Sequence, residues 1–443
     1  MLHPATSHHN RDPHHIPCHS RGQPDKGDVC MKASRRIPWI ALTLLLASTT
    51  LPARAQTATE ALGALWDTIC ATSSEGTLLF QRCDETVNSP DPLANAIAAT
   101  GMHLEDIAGQ GHAGSVSAQA PAPVQFEVGG VATASLSQDA LGRIGLGLAG
   151  DEFGGGWSLF ASAQTGRLDH SGTRFESAFD SRNAAFTLGL DRRINDRWVV
   201  GAALNHARDR IDYTGTVSRL DSRHTGLLLF ANRSWNDAWS FDAYLGGSRG
   251  SADILREIRY ALPIAGNAIA IINTNATSSP DISRQHAGAS LDWLGRRGGW
   301  DLDLGGGIDL SRNRVDEYVE SGGQGLALRV AKRTVTQRVA RSDARFGRTV
   351  STNWGVWQPS LQLGWRHALT DSAERTTIRF VDDPLEYAVG FDAQPDDRNW
   401  GEFAVTSTFT FTHGHSGFIE YRQRFAHDFL EERVLSLGWR IEL

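Results

Sequence analysis

From Trp157 onward the chain alternates between apolar and polar residues. Trp300, Leu302, Leu304, Ile308 and Leu310 share one face of an extended run, and Asp301, Asp303, Gly305, Gly307 and Asp309 share the other. Trp239, Phe241, Ala243 and Leu245 oppose Ser240, Asp242, Tyr244 and Gly246 in the same way. At the C-terminus Leu435, Leu437, Trp439, Ile441 and Leu443 oppose Ser436, Gly438, Arg440 and Glu442. Successive side chains of a strand point to opposite faces, so each run has one apolar and one polar wall. The runs last about nine residues or more. That length crosses an outer membrane at a tilt, and it exceeds the five or six residues usual in a soluble sheet.

The connections decide the architecture. Twelve strands begin near Trp157, Asn183, Arg197, Ser222, Trp239, Ser283, Gly299, Gln337, Asn353, Asn399, Gly417 and Glu432. Every second connection is very short: Asn195-Asp196, Asn236-Asp237, Arg297-Gly298, Ser351-Thr352 and Gly414-His415. Those between them, near 168–181, 211–221, 250–282, 312–336, 367–398 and 425–431, are long and polar. A sandwich has no reason for this parity. A 12-stranded antiparallel transmembrane β-barrel does, with short turns facing the periplasm and long loops facing outside. The fold class is therefore all-β. Trp198, Trp239, Trp300 and Trp354 each follow a short turn by one or two residues. They predict an aromatic girdle at the periplasmic interface, where a ring has one apolar and one wet side. An even strand count brings the segment before Trp157 to that same rim. Alternation leaves open whether this segment stays in the periplasm or runs through the pore.

Upstream, the pattern changes. Lys32, Arg35 and Arg36 precede a short apolar run, Ile37 to Leu51, and an Ala53-Arg54-Ala55 site. Residues 31–55 read as a cleaved secretory signal, with the mature chain beginning near Gln56. Residues 1–30, rich in His and Pro, precede a signal that should be N-terminal. They read as a mis-assigned start, and no metal site is given to His8, His9, His14 and His15. Residues 56–110 read as a short, mainly helical segment. Asp91-Pro92 is a good helix start, and a helix over 92–108 would be about 25 Å long. Residues 111–156 are a Gly/Ala/Ser-rich linker, and 157–443 form the barrel.

The net charge of −7 carries no basic excess, which argues against nucleic acid as a partner. With 21% charged residues the chain is too polar for a helical membrane protein, but not for a barrel. Cys70 and Cys83 are the cysteines of the mature chain, and export predicts a disulfide between them. No His or Asn is arranged to activate a thiol. No G-x-S-x-G, H-E-x-x-H, phosphate-loop or Gly-Asp-Ser-Leu motif occurs, so no catalytic, cofactor or metal site is assigned. His413 and His415 lie in a turn without nearby Cys or carboxylate and read as solvated. His206, His224 and His286 read as polar wall. Asp301, Asp303, Asp309, Arg366, Arg422, Arg424, Arg440 and Glu442 fall on inward faces. They either tune ion passage or hold the barrel closed through paired hydrogen bonds. The second reading is preferred.

The stretches 183–260 and 315–369, and "RTTIRFVDDP" at 375–384, resemble the translocator barrel of type V secretion autotransporters. The resemblance covers about 155–443. It implies a barrel with a helix in its pore, and export of an upstream passenger through the Gram-negative outer membrane. It also implies partners: the outer-membrane bilayer, the β-barrel assembly machinery, the Sec export machinery and periplasmic chaperones. Ser436, Gly438, Ile441 and Leu443 match the family's C-terminal assembly signal, although the family usually ends in Phe or Trp. Residues 80–106 are similar to the pre-barrel segment of some members. This makes 93–108 the pore-helix candidate, with 137–148 as its competitor. The passenger is short and shows no repeat, so it is no β-helix adhesin. Some members cleave between two asparagines in the pore. No Asn-Asn pair precedes Trp157, and no such cut is expected. The expected role is a translocator that exports or anchors its short N-terminal segment. The alternatives are a passive pore with a periplasmic plug, and a surface binding module anchored by the barrel.

Overall fold

The computed structural model describes residues 55–89, 101–107 and 156–443, apart from 196, 237, 265, 371–374 and 396. Twelve long strands make the barrel: β1 (Trp157–His170), β2 (Phe179–Asn195), β3 (Trp198–Tyr213), β4 (Arg219–Ser234), β5 (Trp239–Ile264), β6 (Asp281–Arg297), β7 (Trp300–Val315), β8 (Arg333–Arg348), β9 (Gly355–Ala368), β10 (Asn399–Phe411), β11 (His415–Phe425) and β12 (Leu430–Glu442). Each pairs antiparallel with its chain neighbours. β1 also pairs with β12, from Ser158↔Glu442 to His170↔Leu430, and this closes the barrel. Outward residues such as Leu188, Leu204, Leu302 and Leu437 are exposed, as a bilayer-facing wall requires. Inward residues such as Asp191, Asp242 and Arg440 are buried.

The two Asn-Asp hairpins are built alike. Asn195 Oδ1 accepts from the backbone N–H of Arg197 (2.9 Å) and of Trp198 (3.0 Å). Asn236 Oδ1 accepts from Ala238 (2.9 Å) and Trp239 (2.8 Å). The Asn side chain imitates a backbone turn, and the Trp three residues later is thereby fixed at the rim.

The long connections are more ordered than their polarity suggests. Strands begin earlier than the alternation indicated, at Phe179, Arg219 and Arg333 instead of near Asn183, Ser222 and Gln337. Their upper outward residues are polar, as in a loop, while the inward partners Phe179, Leu220 and Arg333 are buried. The stretch 250–282, expected as a polar loop, is largely a hairpin. β5 runs on to Ile264 and returns as strand Ala268–Ser278. Ile254, Ile258, Tyr260 and Leu262 keep the period-2 pattern there and are buried. The connections after β7 and β9 supply a second, four-stranded sheet, in the order Val389–Asp392, Arg375–Phe380, Leu328–Val330, Tyr318–Val319.

On this long-loop rim sit two helices, α1 (Ala58–Thr72) and α2 (Leu78–Val87). Thr57 and Glu60 form a reciprocal capping box at the start of α1, and Thr77 caps α2. A disulfide joins Cys70 to Cys83. Leu62, Trp66 and Ile69 of α1, Leu79 of α2, and Met102, Leu104 and Ile107 share one buried core with loop-end residues of the barrel. Of the helix expected over 92–108, the described residues show a turn at 101–103 and helix at 104–107. They lie at the outer mouth, because their apolar side chains find apolar partners there and the lumen offers mainly polar ones. The competing candidate, 137–148, lies outside the described residues.

Trp66 is 1% exposed, donates to Thr86 Oγ1 (2.7 Å) and meets Phe380 edge-on (5.5 Å). Trp66→Ala is expected to cost the cap about 3–5 kcal/mol. Limited proteolysis should then cut α1 and α2 while the barrel still migrates as a folded, heat-modifiable species.

Candidate functional site

The site has two parts: a capped outer mouth and a charged lumen beneath it. At the mouth, barrel groups capture four backbone carbonyls of the N-terminal segment. Arg259 N–H donates to Gly101 O (2.7 Å) and Arg256 Nη1 to Met102 O (2.7 Å). Tyr213 Oη donates to Asp106 O (2.9 Å) and Arg333 Nη1 to Ile107 O (2.6 Å). Gly101 permits the approach, since a Cβ there would stand 2.4 Å from Arg259 O. Arg256 is the hub. It is 1% exposed and also donates to both oxygens of Glu320 (2.9 and 2.6 Å) and to Leu326 O (2.9 Å). Glu320 Oε2 in turn accepts from Leu328 N–H (3.0 Å). One buried ion pair thus ties the N-terminal segment, the extended β5 and the second sheet together. Beyond α1, Gln56 N–H donates to Asp392 Oδ2 (2.9 Å), and Gln56 O accepts from Asp392 N–H (3.0 Å).

Asp106 is buried with the segment, and burial pushes its carboxyl above the ordinary carboxylate range. The hydroxyls of Ser177 and Ser218 and the charge of His103 pull the other way by less.

In the lumen most of the inward charges singled out from the sequence face an opposite charge. Arg440 Nη2 bonds Asp191 Oδ1 (2.7 Å) and Ser158 Oγ (2.9 Å). Arg366 lies between Asp343 (2.8 Å) and Glu402 (3.0 Å). Arg424 meets Glu432 (2.9 Å) and Arg422 meets Glu420 (3.1 Å). Asp309 accepts from Tyr244 Oη (2.6 Å) and faces Arg341 (3.5 Å). Asp303 lies 3.9 Å from Arg345. Asp301 lies 3.4 Å from Arg296 and accepts from Thr349 Oγ1 (2.8 Å). Glu442, at the inner rim, donates its backbone N–H to Gly414 O (2.9 Å). Asp191, Arg341, Asp343, Arg345, Glu402, Glu420 and Glu432 were not singled out from the sequence, although strand parity alone puts them inward. Arg256, Glu320 and the donors at the mouth had no local signal.

Trp198, Trp239, Trp300 and Trp354 all lie at the short-turn rim, the last three 40–44% exposed. Arg233 lies over the Trp198 ring (5.2 Å) and Arg348 over Trp300 (5.1 Å). In the last strand, Ser436 and Gly438 face inward while Ile441 and Leu443 face out. Phe418 packs where a Cβ on Gly438 would stand, 2.3 Å from that point. Among the described residues no group of three or more His, Cys, Asp or Glu could hold a metal ion.

A closed antiparallel barrel with an apolar outer wall, one rim of short turns and the other of long loops defines an outer-membrane β-barrel. Residues 159–422 match the family model for the autotransporter beta-domain. The chain belongs to that family. The translocator domain of autotransporter NalP from Neisseria meningitidis shares its fold, with 14% identity and a TM-score of 0.51, over 71% of this chain and 97% of that one. The beta domain of the Bordetella autotransporter BrkA aligns at 15% identity over 65% of this chain and 100% of its own, with a TM-score of 0.44. The fold assignment rests on the first of these. No curated protein matches the chain. The protein is thus an outer-membrane barrel that exports or anchors a short N-terminal segment at the cell surface.

Arg440→Ala would leave Asp191 buried without its partner. Planar-bilayer recordings should show higher ionic leak than the parent, and Arg440→Ala with Asp191→Asn should bring it back down. The cap should also respond to pH. A carboxyl whose folded pKa is raised favours the docked state most below the ordinary carboxylate range, and that advantage is lost as pH rises through the folded value. Asp106→Asn is expected to flatten the pH dependence of cap protection, read by hydrogen exchange at Leu104 and Ile107.

Proposed function

We propose that residues 56–107 are the exported segment, and that the barrel retains it as a folded cap over its own mouth. The observation that carries this reading is the capture of four carbonyls at 101–107 by donors on the long-loop side. Ile107 is at the long-loop rim and Trp157 at the short-turn rim, at opposite ends of the barrel. Transport and anchoring need no catalytic step.

On this reading the Sec machinery delivers the chain and periplasmic chaperones hold it. The outer-membrane assembly machinery then reads Ser436, Gly438, Ile441 and Leu443. Trp198, Trp239, Trp300 and Trp354 set the depth of the barrel at the inner interface. The inward charges, including Glu442, serve the wall and not ion selection, because most of them already face an opposite charge. Cap and barrel stay one chain. A passive pore with a periplasmic plug is the weaker reading, since α1 and α2 bury their apolar faces on long-loop residues.

The test is an epitope tag inserted just before Gln56. Intact cells should display it to antibody and lose it to added protease. A tag that becomes visible only after the outer membrane is opened would overturn the proposal and put the pore reading first.

A further inference from the structure

Just above the apolar belt, the outward wall carries a ring of arginines, among them Arg167, Arg208, Arg223, Arg249, Arg312 and Arg433. On β1, β3 and β12 the arginines named have carboxylates. Arg167 meets Asp169 (3.2 Å) and Asp180 (3.5 Å), Arg208 meets Asp221 (3.5 Å), and Arg433 bonds Glu431. Across β4 to β7 the balance fails. Arg223, Arg249 and Arg312 are exposed, and among the described residues none makes an ion pair.

These three surround a hollow of about 1130 Å³ on the outer wall. Its shape follows from register. Arg249 stands between Thr225 and Ser283, Arg223 opposite Ser251, and Arg312 opposite Gln285. Long cationic side chains thus alternate with short hydroxyl ones across neighbouring strands about 4.8 Å apart, and the short ones leave a floor between the long ones. Gly247 deepens it. Two carboxylates also line the hollow: Asp316, held by Arg314 (2.6 Å), and Asp281 at the upper edge. Counting Arg314, four outward cations face two anions, while Arg284 of the lining is buried and paired with Asp209 (3.6 Å). Directly below are the exposed outward leucines Leu204, Leu227, Leu245 and Leu310.

We propose that this hollow binds the phosphate-bearing headgroup of an outer-leaflet lipid, with its acyl chains lying down the leucine wall. Guanidinium forks suit phosphate in paired contacts, and the threonine and serine hydroxyls add neutral donors. A free phosphate would use the upper half of the site only. A lipid without phosphate would use the lower half only.

The test uses the full chain, purified in non-ionic detergent and followed by native mass spectrometry. The probes are a bisphosphorylated glucosamine-disaccharide lipid (lipid A), the same lipid with both phosphates removed, and inorganic phosphate as competitor. The phosphorylated lipid should be retained about tenfold more tightly than the dephosphorylated one, and Arg223→Gln/Arg249→Gln/Arg312→Gln should abolish that preference. Arg167→Gln/Arg433→Gln, on the balanced part of the ring, should keep it. Equal retention of both lipids by the unmodified chain would sink the proposal without reference to any variant. So would a triple variant that binds like the parent, or complete displacement of the lipid by millimolar inorganic phosphate.

Discussion

In hydrocarbon, every backbone N–H or C=O left without a partner costs several kcal/mol. A strand placed there needs a neighbour on each side, and a sheet gives that to all its strands only by closing on itself. β1 therefore bonds both β2 and β12 along its whole length. The rest follows from closure. Side chains alternate between lipid and lumen, so each strand is apolar on one face only. Strands alternate direction, so an even number returns both ends of the barrel to the short-turn rim. The segment before β1 then starts on the wrong side of the membrane from the core it completes.

Closure also shapes the electrostatics. The lumen is lined by buried charges, each costly unless it is paired and hydrogen-bonded. Arg366 between Asp343 and Glu402, and Arg440 between Asp191 and Ser158, meet that demand across neighbouring strands. The mouth meets it differently. Arg256 gives two of its donors to Glu320 and the others to backbone carbonyls from separate parts of the chain. A charge that binds carbonyls from several segments fixes where those segments meet.

The barrel was legible because its signal is local. Period-2 alternation, the parity of connection lengths and a Trp after each Asn-Asp turn all lie within a few residues of one another. The inward charges were legible as positions, while their partners were seen only in part. Arg440 is visibly inward, but Asp191 lies far away in sequence and becomes its neighbour only once the seam closes. The cap was the least legible element. The docking site of α1 and α2 could not be read, because its partners Ile258, Leu328 and Phe380 come from stretches whose polar residues look like loops. The long β5 hairpin was hidden for the same reason.

The shared core has a mechanical side. Leu168 belongs to β1, Leu430 opens β12 and Phe429 just precedes it, and all three are buried with α1, α2 and Leu104. Ser171 N–H donates to Phe429 O (2.9 Å) and the His170 ring meets Phe429 edge-on (5.3 Å) at the same place. The apolar cluster therefore straddles the junction of the first and last strands. Prising that junction apart would mean tearing the cluster as well as unzipping a ladder. The capping segment is thus a clasp on the barrel's own seam, so cap and barrel stabilise each other.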